Sequence, residues 1–297
     1  LLPSLPFFLS SCTCSATLPC LFQENRRLAD RFIFTGIDAA NRLWGDIGLR
    51  NARPSLAQPL LQPYFSMNIA LVGTGQMGQA VADVAPDRGH DIICRFDSSR
   101  PLTGASPDNL RDVDVAIDFS LPSVALPHIQ RYCHWHQPAV IGTTGWYDHL
   151  DDVRELVDEH DAGLLYAPNF SLGTAVLQRA LAAVAPLIDQ LEDYDAFVHE
   201  MHHTQKVDSP SGTAEMLGRT LVERLGRKSR VETEAQHDRI DPEALHVTST
   251  RCGSVFGEHT VGFDGSFDRV ELSHSAKSRA GFAYGAVRAA EWLDGRT

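Results

Sequence analysis

A short, mostly apolar run at residues 68–72 leads straight into Gly73-Thr74-Gly75-Gln76-Met77-Gly78, and a helical stretch follows to about residue 85. Few folds accept a strand, a triple-glycine turn and a helix in that order. The first glycine permits the tight turn, the second lets the backbone approach a ligand closely, and the third lets the helix pack against the strand. The pattern then repeats in coarser form. Residues 91–96 read as a strand ending at Asp97, and residues 113–119 as a buried strand with Asp114 and Asp118 set in it. Ser120-Leu-Pro122 opens a helix, with proline in the first turn where its missing N–H does no harm. Residues 139–141 form a strand before Gly142-Thr143-Thr144-Gly145, residues 146–160 a helix, and residues 164–167 a strand before Pro168-Asn169-Phe170-Ser171. Strands alternating with helices imply a parallel sheet covered on both faces.

After Ser171 the pattern changes. An Ala/Leu-rich helix runs to about residue 190, residues 194–201 read as a strand and residues 213–225 as a helix. Strands then dominate, at 246–252, 258–263 and 269–274, the last two flanking Asp264-Gly265, a hairpin dipeptide. A closing helix at 279–294 spaces Phe282, Ala286, Ala289, Ala290 and Leu293 on one face, with Gly295 at its C-terminal end. The expected fold class is α/β: a Rossmann-like dinucleotide-binding domain (67–170 plus 275–297) and a smaller α+β domain with an open mixed sheet (171–274) for substrate binding and oligomerisation. Residues 1–66 differ. No methionine precedes Met67, and the stretch is rich in Pro, Leu and Ser, holds Cys12, Cys14 and Cys20, and shows no clean period. Leu9-Ser10-Ser11-Cys12 only faintly resembles a lipoprotein cleavage site. These residues are expected to be an extension outside the fold and poorly ordered.

Composition removes several function classes. A net charge of −12 argues against nucleic acid as a partner. No apolar run approaches the roughly 18 residues of a membrane span. Cys94, Cys133 and Cys252 are scattered and lack metal spacing, as in a reducing cytoplasm.

The glycine turn points to a dinucleotide, held by Gly73, Thr74, Gly75, Gln76, Met77 and Gly78. Asp97 lies about 20 residues on, at a strand end where a ribose 2′-hydroxyl is gripped. A carboxylate there repels a 2′-phosphate. Ser98 and Ser99 follow it, although Arg95 and Arg100 are near. NADH is therefore expected to be used at least as well as NADPH. Gly142, Thr143 and Thr144, and Ala167, Pro168, Asn169 and Phe170, follow strands of the same sheet, where ligands of open α/β sheets bind. Turn chemistry alone also accounts for those residue types.

Residues 200–214 read Glu-Met-His-His-Thr-Gln-Lys-Val-Asp-Ser-Pro-Ser-Gly-Thr-Ala. Two imidazoles and a lysine can move protons and hold anions near neutral pH. The turn that follows opens a helix whose N-terminal amides can cradle a carboxylate. That combination suits a reductase of a small dicarboxylate. Glu200-Met-His-His lacks the spacing of a zinc helix, so no metal is expected. His128, His134, His136 and His149 read as ordinary residues without partners, and Phe263, Phe267 and Phe282 as core.

Taken together, these residues resemble the 4-hydroxy-tetrahydrodipicolinate reductase (dihydrodipicolinate reductase) family. The segment 200–214 looks like that family's signature, and 73–78, 141–145, 169–173, 257–260 and 278–290 match in the same order. The resemblance implies that His202 is a proton donor or acceptor and Lys206 a second proton donor. His203, Lys206, Gly212 and Thr213 would bind substrate. Residues 142–144 and 167–170, with Asp97, would hold NADH or NADPH. It also implies hydride transfer to a cyclic unsaturated imine dicarboxylate, and a homotetramer joined through the second sheet. Two other readings stay open at this level. One is another two-domain Rossmann dehydrogenase, although a semialdehyde enzyme would need an activated cysteine that Cys94, Cys133 and Cys252 do not supply. The other is a nucleotide sensor without turnover.

Overall fold

A computed structural model describes residues 66–294 of the chain. Almost all of the expected N-terminal extension, and Gly295, lie outside the described residues. Five strands, β1 (Asn68–Val72), β2 (Asp91–Phe96), β3 (Val115–Asp118), β4 (Ala139–Ile141) and β5 (Leu164–Tyr166), form a wholly parallel sheet in the order β2-β1-β3-β4-β5. Helices α1 (Gln76–Asp87), α2 (Pro122–His134) and α3 (Leu150–His160) connect them.

Strand alternation divides the apolar residues between two cores. Ile69, Leu71, Val115, Ile117, Val140 and Leu165 face one side. Ala70, Val72, Ala116, Ile141 and Leu164 face the other, under Ile129, Tyr132 and Trp146. Burial on both faces explains why these strands read as continuous apolar runs. The last helix, α6 (Ala280–Leu293), returns to the first of these cores through Ala283, Ala286, Val287, Ala290 and Leu293. Glu291 on α6 takes a two-pronged hydrogen bond from Arg88 (2.7 and 2.8 Å) and a contact from the buried His90 (3.0 Å), which fastens α6 to the end of α1.

The second sheet contains β6 (Asp195–His202), β7 (Arg230–Glu232), β8 (Ala244–Arg251), β9 (Glu258–Asp264) and β10 (Arg269–Ser275), in the order β10-β9-β6-β8-β7. β6, β7, β8 and β10 run in one direction and β9, between β6 and β10, runs against them, so the sheet is mixed as expected. Helices α4 (Leu172–Ile188) and α5 (Gly212–Val222) cover one face around Leu181, Val198, Leu217, Leu221, Val247 and Phe263.

Several expectations need correction. The short edge strand β7 was not foreseen, because three residues carry too little periodicity. The hairpin between β9 and β10 turns through residues 265–268, closed by Gly265 N–H to Asp268 O (2.9 Å), a wider loop than Asp264-Gly265 suggested. Phe267 sits at its tip, 97% exposed, and is not core. A single 3₁₀ turn (Tyr147–His149) precedes α3, because the Trp146 indole reaches back to Thr143 O (2.8 Å). His128 is not partnerless: its ring is buried and its Nδ1 meets Asp118 Oδ2 at 2.8 Å. His149 likewise lies 3.3 Å from Asp152.

Candidate active site

Alternation along β6 turns Ala196, Val198, Glu200 and His202 inward. The first two join the apolar core. The last two reach the end of the strand, where the core gives way to polar groups from three other elements. Glu200 is fully buried, and an isolated carboxylate there would be prohibitive. It is fully engaged instead. One oxygen takes Arg251 (2.8 Å) and the Ser211 amide (3.2 Å), and the other meets Nδ1 of His202. Burial alone would raise the Glu200 carboxyl; its hydrogen bonds to His202 and Arg251 outweigh that and leave it lowered.

His259, from the adjacent strand β9, stacks edge-on against His202 with ring centres 5.2 Å apart, and its Nε2 pairs with Ser211 Oγ (3.2 Å). Ser211 also caps α5 by accepting from Ala214 N–H (3.2 Å). Donor atoms of Glu200, His202 and His259 all lie within 4.8 Å of one another, the one such grouping with metal-ligand character among the described residues. Spacing within residues 200–214 could not reveal it, because His259 arrives across the sheet.

Past His202 the chain enters a loop. Lys206 is half-buried and its Nζ donates to Asp208 Oδ1 at 2.7 Å. The Asp208 carboxylate also accepts from the backbone of Gly212 at the start of α5. Burial raises the Asp208 carboxyl, but Lys206 and these amides prevail and lower it. Arg251 reaches the same loop through the Asp208 carbonyl (2.5 Å). His203 follows the strand half-exposed, its amide tied to Val255 O (2.7 Å).

The two halves of the expected site meet at one hydrogen bond. Asn169, after β5, donates from Nδ2 to Thr213 Oγ1 on α5 (3.1 Å) while its Oδ1 accepts from Ser171 N–H (2.7 Å). Pro168 beside it is exposed, whereas Ala167 and Phe170 are packed inside. Thr144 is exposed and Gly142 half-buried. Thr143 is buried, with its hydroxyl within reach of Ser120 O (3.3 Å) and Asp118 Oδ1 (3.4 Å). Its side chain therefore holds the loop and faces away from solvent. Phe119, which the sequence reading passed over, lies against Gly142 and edge-on to Phe170 at 6.0 Å.

At the glycine turn, Gly73 has φ +88°, and a Cβ on Gly78 would lie 1.9 Å from Gly73 O. Gly75 has open space where a Cβ would stand. The first and third glycines are thus required by the fold, and the second leaves room for a pyrophosphate. Asp97 lies at the turn's edge. Its carboxylate accepts from Ser99 Oγ (2.7 Å), Ser99 N–H (2.8 Å), Arg100 N–H (3.2 Å) and Thr74 Oγ1 (3.2 Å). The Ser99 hydroxyl leads these donors in lowering it to about 2, so it is ionised at neutral pH. These residues fit the adenosine half of a pyridine dinucleotide.

The buried histidine gives the fold an acid limit. Burial first, and the neighbouring His202 next, lower His259 from 6.5 to about 4. The unfolded chain then binds the extra proton between those values, so stability falls as pH drops through that window. Denaturant titrations should show a loss of roughly 2 kcal/mol between about pH 7 and about pH 5 from this residue. His259→Gln should flatten the slope; an unchanged slope would mean another group sets it.

A parallel sheet opened by a glycine turn, with an imidazole–lysine segment on a second, mixed sheet, defines a Rossmann-like oxidoreductase. Comparison narrows the class. Residues 67–170 match the family described as "Dihydrodipicolinate reductase, N-terminus" and residues 173–297 the one described as "Dihydrodipicolinate reductase, C-terminus". A 4-hydroxy-tetrahydrodipicolinate reductase of Christiangramia forsetii is 41% identical over 234 residues, covering 78% of this chain and 94% of that protein. One from Staphylococcus aureus is 34% identical over 233 residues, covering 76% and 95%. A dipicolinate-bound dihydrodipicolinate reductase from Paenisporosarcina shares the fold, with a TM-score of 0.62 at 21% identity over 77% of this chain and 95% of that one. The chain belongs to the dihydrodipicolinate reductase family.

Proposed function

We infer that this protein carries out the NAD(P)H-dependent reduction of 4-hydroxy-tetrahydrodipicolinate, by way of its dehydrated form, to tetrahydrodipicolinate in diaminopimelate and lysine biosynthesis. The observation that carries the substrate assignment is Asp208. Its carboxylate rests on Lys206 and the backbone of Gly212, two of the groups expected to bind substrate. An internal carboxylate in that position marks a cradle suited to a carboxylate of the substrate. Lys206 supplies the charge, the start of α5 supplies amides, and Thr213 supplies a hydroxyl. His203 contributes a further substrate contact.

Bound NADH or NADPH would supply the hydride. It would be held by Gly73, Thr74, Gly75, Gln76, Met77 and Gly78 at the turn, by Asp97 at the ribose, and by residues 142–144 and 167–170 beyond the strand ends. His202 and Lys206 stabilise charge developing on the reduced ring and deliver the proton that completes it. The Asn169–Thr213 hydrogen bond joins the cofactor loop to the substrate helix, which is the juxtaposition hydride transfer needs. We assign no resident metal to Glu200, His202 and His259: the Arg251 guanidinium already occupies the carboxylate a cation would need. The reading includes the division into domains 67–170 plus 275–297 and 171–274, and a cytoplasmic homotetramer. The half-exposed outer face of β6, with Phe197, His199 and Met201, is the surface offered for assembly. Among the described residues no helix is long and apolar enough to cross a membrane.

A coupled assay tests the whole reading. Pyruvate and aspartate semialdehyde are supplied with the upstream synthase, and oxidation of NADH and NADPH is followed. Both should be consumed, NADH at least as fast. Absence of turnover with either would overturn the function, and a preference for NADPH of about a hundredfold would remove the role given to Asp97.

A further inference from the structure

His202 is held from behind. The carboxylate against its Nδ1 is itself fixed by two donors on its far oxygen, Arg251 at 2.8 Å and the Ser211 amide at 3.2 Å. A carboxylate only accepts, so Nδ1 of His202 must carry a proton. No hydrogen bond reaches Nε2 among the described residues, and Gly257 leaves room beside it: a Cβ there would lie 2.8 Å from Nε2. Arg251 also donates to Thr250 O (2.9 Å) and Asp208 O (2.5 Å), while its buried Nε finds no partner among the described residues. One guanidinium therefore ties the carboxylate behind the histidine to the loop that carries Lys206.

We propose that Glu200 and Arg251 are positioning residues of the reductase, holding His202 with Nδ1 protonated and Nε2 free to exchange the reaction proton, and pinning the Lys206 loop in register with it. The proposal rests on the acid–base role given to His202. The other titratable or charged groups around this ring are His259 on β9, with His274 near it on β10, and Lys206 and Asp208 in the loop. None of these contacts Nδ1, so the protonation of that nitrogen is set by Glu200. A metal centre explains the same three residues less well, because it would place a cation beside Arg251.

Glu200→Gln makes a sharp test, because the network dictates how the amide must lie. Arg251 and the Ser211 amide both need an acceptor, so the glutamine oxygen turns to them and its NH₂ faces Nδ1. Nδ1 must then accept, and the neutral ring moves its proton to Nε2. Histidine-selective ¹⁵N spectra should show the His202 tautomer reversing. kcat should fall roughly 10–100-fold while NADH binding, followed by fluorescence, is kept. Retention of the Nδ1-protonated tautomer in Glu200→Gln overturns the proposal.

Removing one partner of a buried ion pair also weakens folding, so a second variant is needed. Glu200→Gln combined with Arg251→Met removes both charges and should recover Tm without recovering kcat. Recovery of kcat together with Tm would make the pair merely structural and overturn the proposal. Full turnover in His202→Gln is a distinct result: it removes the proton role of His202 and leaves the tautomer measurement standing.

Discussion

Replacing His202 by Ala should lower kcat by about 10²–10⁴-fold, the usual contribution of a positioned acid or base, while NADH binds as before. The two effects separate because the groups are on different sheets. The proposed adenosine contacts, the turn after β1 and Asp97, belong to the first sheet. His202 lies at the end of β6, in a network of Glu200, Arg251, Ser211 and His259. Lys206→Ala should behave differently, raising KM as well as lowering kcat, because its ammonium is proposed as an anion anchor as well as a proton donor. In the structure that ammonium already holds the Asp208 carboxylate at 2.7 Å, the kind of group it is proposed to anchor. Steady-state kinetics beside a fluorescence titration with NADH separates the cases. Wild-type turnover in both variants would leave a nucleotide-binding protein whose chemistry is elsewhere.

Much of the proposed site is legible in the sequence because it is local. Residues 73–78 and 200–214 are continuous, and their glycines, imidazoles and lysine keep their meaning at short range. Strand β3 and the first sheet were legible for a related reason: burial on both faces writes an unbroken apolar run. The supporting shell was not. Glu200 and His202 share a face by the two-residue period of a strand, so their pairing could have been found. Arg251 and His259 reach them only through the order of the second sheet, with β8 and β9 flanking β6, and nothing in their own neighbourhoods announces it. His128 fails in the same way. On a helix it looks idle, yet β3 places Asp118 at 2.8 Å from it, in a network that also holds Tyr132 (2.9 Å) and Thr143 (3.4 Å). Phe267 was misread in the opposite direction, because an aromatic beside a strand pattern counts as core until the turn is known to run through residue 268.

Gly285→Ala should destabilise the protein although it improves the helix. Alanine in place of glycine inside a helix ordinarily gains about 1 kcal/mol. Here α6 crosses so close to the segment after β5 that a Cβ on Gly285 would stand 1.7 Å from the Phe170 carbonyl oxygen. That neighbour is backbone and cannot rotate aside, so α6 or residues 169–171 must move. A net loss of about 3 kcal/mol is expected, at the upper end of overpacking costs, with Tm lower by roughly 6–12 °C. Gly281→Ala supplies the control within the same helix, since nothing lies within 4 Å of its added Cβ; it should be neutral or slightly stabilising. The clash also has a functional edge. Phe170 adjoins Asn169, whose amide holds Thr213 at 3.1 Å, so a displaced 169–171 segment separates the proposed cofactor loop from the start of α5. Gly285→Ala should therefore lose kcat at temperatures where it is still folded, although residue 285 is expected to touch neither ligand. Thermal melts with rate measurements well below Tm check both parts. A variant with wild-type Tm would mean that α6 does not approach β5 this closely, and the packing of the chain's end on the first sheet would need to be redrawn.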